Sequence, residues 1–186
     1  MKFKEINKVH SGKFIHRYDI TYETSSGHEK VYEMISRNPD IDSREKLIGG
    51  RADAVVLILT DADGDKLLLN REFRLATGQW VYNFPAGLID GDETPEEAAK
   101  RELFEETGLS LDVIDDVVGN SYSAIGFANE SNICVIGKAS GEIRPSDSEV
   151  EEIEAGWFTK DEVRELLVNN YFAARTQAYC YLWCRM

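Results

Sequence analysis

The sequence predicts a mixed α+β sandwich rather than a regular βαβ repeat. Three observations carry that prediction. The chain opens with strand pairs joined by tight turns, and strands and helices then alternate irregularly. Its 186 residues, 42% of them hydrophobic, are enough to bury a core without disulfides or a structural metal.

The elements follow in order. Residues 14–22, FIHRYDITY, alternate large and polar groups as a half-buried strand does. A turn at Ser25-Ser26-Gly27 leads to a second strand at 30–36. This pair predicts an N-terminal β-hairpin subdomain over residues 1–48. Residues 37–50 are polar and end in Gly49-Gly50, a linker into a second domain over 49–186. Residues 54–59, AVVLIL, read as a buried strand. The turn Asp61-Ala62-Asp63-Gly64-Asp65 and a return strand at 66–73 follow. Alternate aspartates invite a calcium-loop reading, but the glycine stands at position four instead of six, so a hairpin turn is expected. A short strand at 80–84 is closed by Pro85-Ala86-Gly87. Further strands are expected at 111–121, 131–139 and 153–158, and helices at 95–107, 160–169 and 172–184.

The net charge is −13, from 21 basic and 34 acidic residues. That balance argues against a protein that grips nucleic-acid phosphates, which calls for clustered Lys and Arg. It does not exclude a nucleotide that arrives with a divalent cation. Apolar runs are short, the six residues 54–59 among them, and too short to span a membrane. The N-terminus lacks an apolar core of signal-peptide length, and the odd, sparse cysteines (Cys134, Cys180, Cys184) suit a reducing compartment. A cytoplasmic protein is expected. Cys180 and Cys184, with no histidine close in sequence, read as buried thiols rather than zinc ligands. The acid is concentrated: residues 87–109 and 142–165 each carry a net −6. The second window includes an expected solvated loop at 146–152 and a capping box of Thr159 and Glu162.

The helix at 95–107 has clear punctuation. Thr94 suits the N-cap, Pro95 the first position and Glu97 the third, completing a capping box, and Gly108 suits the position past the end. In that register Glu102, Glu105 and Glu106 project from one face within a turn of each other. Carboxylates this close repel unless they splay into water or share a cation, and oxygen ligands favour Mg²⁺, Mn²⁺ or Ca²⁺. Arg101 can pair with Glu97 or Glu105. The loop before the helix holds Gly87 and Gly91, where backbone can come near a ligand.

Gly87, five residues, Glu93, seven residues, then Arg101-Glu102-Leu103-Phe104-Glu105-Glu106-Thr107-Gly108-Leu109 resembles the Nudix box, with every specified position filled at the right spacing. The resemblance implies an α/β/α sandwich around a mixed sheet. It further implies Mg²⁺- or Mn²⁺-dependent hydrolysis of a nucleoside diphosphate linked to another moiety. Glu102, Glu105, Glu106 and the Ala86 carbonyl would be metal ligands, Arg101 would orient a glutamate, and Gly87 would permit a tight turn. Glu105 and Arg101 thus count among the catalytic set.

The likeness extends, over roughly residues 12–180, to the ADP-ribose and nucleoside-diphosphate-sugar pyrophosphatase branch. There an N-terminal β-hairpin domain often serves dimerisation, which implies a homodimer. Arg71-Glu72-Phe73-Arg74 resembles the branch's arginine-bearing strand. The loop Tyr122-Ser123-Ala124-Ile125-Gly126-Phe127-Ala128-Asn129-Glu130 resembles one that carries an acidic residue, so Glu130 would be catalytic base or extra ligand. Arg51, Arg71 and Arg74 are candidate phosphate or ribose contacts, and Tyr18, Tyr22 and Tyr32 could stack on a base or pack a core. Ile125 stands where the branch places a proline, and Asn83 where it often has an acid. The expected substrate is therefore ADP-ribose, a nucleotide sugar or another dinucleotide. Alternatives are a non-catalytic nucleotide-sensing module and the family's isomerase branch, which needs a catalytic cysteine that Cys134 does not supply.

Overall fold

A computed structural model describes residues 1–146 and 150–186, and they form two compact units. The first unit comprises Met1–Asp53 and Asn120–Asn132, and the second Ala54–Gly119 and Ile133–Met186. The loop expected at 146–152 lies partly outside the described residues.

In the first unit β1 (Lys2–Ser11), β2 (His16–Glu23) and β3 (Glu29–Ser36) form an antiparallel sheet in that order. The hairpin read from the sequence is β2–β3. The added strand β1, KFKEINKVHS, buries only Ile6, so its polar run gives no alternation to read. The expected linker holds a short helix, α1 (Arg44–Ile48), whose N-cap Ser43 accepts from the Lys46 N–H. Tyr18, Ile20, Met34, Ile6 and Ile41 form this unit's core. Tyr18 is fully buried and its hydroxyl donates to the Asn38 carbonyl at 2.7 Å. Its packing role is thereby settled, while Tyr22 meets Phe3 edge-on.

The second unit is built on a sheet of β4 (Ala54–Thr60), β5 (Lys66–Arg74), β6 (Gln79–Asn83), β7 (Ala86–Leu88), β8 (Ser110–Tyr122), β9 (Ser131–Ser140), β10 (Ile153–Thr159) and β11 (Tyr171–Phe172). The main path runs β11-β6-β5-β4-β9-β8, with β10 paired to β5 and β7 to β4. The sheet is mixed, since β11 runs parallel to β6 while β5 is antiparallel to β6 and β10. Helices α2 (Pro95–Thr107), α3 (Lys160–Asn169) and α4 (Ala174–Trp183) cover it.

Strand alternation sorts the core into two layers. Val55, Leu57, Leu59 and Leu68 pack with Ala98, Ala99 and Leu103 of α2. Val56, Leu67 and Leu69 pack with Val163 of α3 and with Cys180, Trp183 and Cys184 of α4. The result is an α/β/α sandwich, and β4 reads as an unbroken apolar run because both of its faces are covered. Cys180 and Cys184 are core thiols, as expected, and burial pushes Cys180 up to about 12. The Asp61 turn is a hairpin: Asp61 Oδ1 accepts from the Asp65 and Lys66 N–H groups, and Gly64 takes φ 80°.

Candidate active site

Helix α2 begins and ends where its sequence dictates. The Thr94 hydroxyl accepts from Glu97 N–H and the Glu97 carboxylate accepts from Thr94 N–H, while Gly108 closes the helix in the left-handed region at φ 77°. Ala98, Ala99 and Leu103 lock one face against the sheet. That anchoring fixes the direction in which Arg101, Glu102, Glu105 and Glu106 leave the helix.

Arg101 is the hub. Its guanidinium takes Glu93 in a fork at 2.8 and 2.9 Å, Glu102 at 2.8 Å, Glu105 at 3.2 Å and the Leu88 carbonyl at 2.9 Å. The pairing with Glu105 is as read from the sequence. The second partner is Glu93, because Glu97 is spent on the capping box. Hydrogen bonding to Glu93 raises the Arg101 pKa further. The arrangement ties the loop ahead of α2 to the helix's acidic face.

Gly87 has a steric reason. A β-carbon there would stand 1.9 Å from Glu102 Cδ and 2.2 Å from both carboxylate oxygens. Strand β7 therefore lies directly against the Glu102 carboxylate, and only glycine leaves room for it. Burial raises the Glu102 pKa and Arg101 opposes the shift. Glu106 is partly exposed as a residue, but its carboxyl end is sheltered. Burial, with Glu102 and Glu72 adding repulsion, pushes that carboxyl well above the usual range. Hydrogen bonds from the Asn70 amide, at 2.8 Å, and from the Ala86 backbone oppose this. Glu105 is about half exposed.

Asn70 and Glu72 were missed in the sequence. Their signal was there: counting by twos from Leu68, which packs toward α2, puts both on the α2 face of β5. Arg74 shares that face and pairs with Glu72. Arg71 points to the opposite face, where it stacks on Trp80 at 4.4 Å and pairs with Glu154 at 2.8 Å. The structure thus brings Glu102, Glu106, Asn70 and Glu72 together around the start of β7 and separates Arg71 from them.

Glu130 and Arg51 belong to the first unit. Glu130 pairs with Arg37 at 2.8 Å, a partner no sequence signal announced. Its loop is docked on β3: Ile35 N–H donates to the Phe127 carbonyl at 2.8 Å, and the Tyr32 hydroxyl donates to the Gly126 carbonyl. Asp53 holds the loop's far end through Ser131 N–H at 2.7 Å. Arg51 is exposed.

Among the described residues, no three His, Cys, Asp or Glu side chains converge as they stand on a point that could hold a metal ion. The donor chemistry nonetheless fits one. Carboxylates crowd the α2 face, Glu106 is sheltered with like charges beside it, and β7 leaves a cradle at Gly87. A hard divalent cation would relieve that repulsion.

An α/β/α sandwich whose anchored helix presents such a carboxylate set beside a glycine-bearing strand defines a class, and the comparisons name it. Residues 50–180 match the NUDIX domain, and the chain belongs to the Nudix family. It is 30% identical over 135 residues to the ADP-ribose pyrophosphatase of Saccharomyces cerevisiae, covering 72% of this chain and 55% of that protein. It is 32% identical over 110 residues to the ADP-sugar pyrophosphatase of Mus musculus, covering 58% of this chain and 47% of that one. The chain thus spans about half the length of these curated relatives. A crystal structure of an ADP compounds hydrolase shares the fold, with a TM-score of 0.72 at 22% identity over 100% of this chain and 93% of that one.

Proposed function

We propose that the chain is a divalent-cation-dependent pyrophosphohydrolase. It cleaves a nucleoside diphosphate joined to another moiety, ADP-ribose or a nucleotide sugar, into two monophosphates. The observation that carries this reading is the Glu102–Glu106 carboxylate set, held by Arg101 and Asn70 against the glycine of β7. The names of the two relatives point to the same substrate class.

Glu102, Glu105, Glu106 and the Ala86 carbonyl would hold Mg²⁺ or Mn²⁺. Such a cation neutralises pyrophosphate charge and lowers the pKa of a bound water. The chain's own residues supply position. Arg101 keeps Glu102 and Glu105 from splaying, the α2 core contacts fix the helix, and Gly87 admits the Glu102 carboxylate. Arg74, beside Glu72, is the better placed of the two β5 arginines for a substrate phosphate, and Arg51 and Arg71 keep the contact roles implied by resemblance. Glu130 is the proposed base, and a Glu130→Gln variant with unchanged turnover removes it from the mechanism.

We also infer a homodimer formed through the first unit. An apolar groove of about 540 Å³ there is lined by Tyr22, Tyr32, Met34, Ile48, Ile125 and Phe127, among others. This unit carries ten basic and ten acidic residues, while the second carries eleven and twenty-four. Two copies meeting through the neutral unit bring together the face with least net repulsion. Light scattering at the 21.0 kDa monomer mass would exclude the dimer.

The substrate assignment is tested with Mg²⁺ and ADP-ribose, ADP-glucose, GDP-mannose, NADH and diadenosine polyphosphates. Cleavage of at least one to monophosphates is expected, with ADP-ribose or a nucleotide sugar turned over best. Tight binding of a compound without turnover of any would replace the enzyme with a sensing module.

A further inference from the structure

Asn70 closes the run Leu67-Leu68-Leu69 on β5 and is 2% exposed. Its Nδ2 donates to Glu106 Oε2 at 2.8 Å. Facing a carboxylate, the amide must present its N–H end, because two acceptors repel, and Oδ1 is then turned away. Oδ1 has no hydrogen-bond partner among the described residues. A buried acceptor left unmet costs about 1–3 kcal/mol, and an apolar side chain would avoid it at the end of an apolar run. The Nδ2 contact alone does not use this oxygen.

We propose that Asn70 is a positioning residue for cation binding: its N–H end fixes Glu106, and its Oδ1 is left for a donor that arrives with the hydrated cation. This rests on the pyrophosphohydrolase reading, in which Glu106 is a cation ligand. It extends that reading to a residue outside the Nudix box, acting through Glu106 rather than on substrate. Groups that orient a metal ligand from behind carry a large share of a site's affinity.

The test is calorimetric titration of Mn²⁺ alone into the full chain, without substrate. Asn70→Val is expected to weaken Mn²⁺ binding by about 10–100-fold. Its melting temperature without metal should change little, since the unmet oxygen goes together with the hydrogen bond to Glu106. Asn70→Leu serves as the second variant if circular dichroism shows that valine unfolds the chain. In the Glu106→Gln background, Asn70→Val should cost no further affinity, because the residue it acts through is already altered. Parent-like Mn²⁺ affinity in a folded Asn70 variant overturns the proposal, as does a loss that adds in full to that of Glu106→Gln. If the parent itself binds no Mn²⁺, the cation reading falls and this inference with it, a result distinct from parent and variant binding alike.

Discussion

Residue 87 shows how one missing methyl group shapes a site. The clash that Gly87→Ala would create is with the far end of Glu102, a flexible side chain, and not with backbone. The expected outcome is a folded protein with a displaced carboxylate. Its melting temperature should stay near the parent's while turnover falls by about 10²–10³-fold, the scale of losing one preorganised electrostatic contact. Unchanged turnover would show that Glu102 does not work from its present position. Glu106 makes the complementary case. Its carboxyl sits sheltered beside Glu102 and Glu72, a placement that costs stability in the absence of a cation. Glu106→Gln should raise the melting temperature of cation-free protein by about 2–4 °C, or about 1 kcal/mol for a chain this long. A lower melting temperature would mean that the Asn70 and Ala86 hydrogen bonds already compensate the charge.

At the scale of elements, the capping boxes were fully legible, because Thr94-Pro95 with Glu97, and Thr159 with Glu162, are local signals that no tertiary contact has to complete. Strand β4 was equally plain, its apolar run being what two covered faces demand. β1 and α1 were not, since one is a polar strand with a single buried residue and the other a five-residue helix with none. The same division holds for the site. The box on α2 could be read by spacing, and Asn70 by carrying the period-two count past the apolar run of β5, but Arg37 enters through loop docking, which sequence spacing does not encode. The boxes also carry a pH prediction. Hydrogen bonds from the Thr94 backbone and side chain hold Glu97 below its ordinary 4.5, and those of Thr159 do the same for Glu162. A lowered folded-state pKa adds stability that is fully present above the unfolded value and is lost as pH falls through the folded one. The melting-temperature gap between the parent and a Glu97→Ala, Glu162→Ala variant should be constant at neutral pH and close below about pH 4.5. A gap that persists unchanged into strong acid would contradict the assignment. Thr159→Ala should cost about 1 kcal/mol.

For the whole molecule, the −13 is not spread evenly. It resides entirely in the second unit, where the Nudix box lies, and the first unit is neutral. The acidic residues of 87–109 are in large part engaged: Glu93, Glu102 and Glu105 meet Arg101, and Glu97 caps α2. On the proposed function, an anionic pyrophosphate approaching this unit would gain from a cation that offsets the remaining charge. The most direct measurement of that claim follows ADP-ribose with the parent protein, with and without Mg²⁺, and with Glu106→Gln. Release of AMP and ribose 5-phosphate by the parent, abolished by chelation and reduced by about 10²-fold or more in the variant, is the predicted result. Cleavage that survives full chelation, or equal turnover by Glu106→Gln, would contradict it.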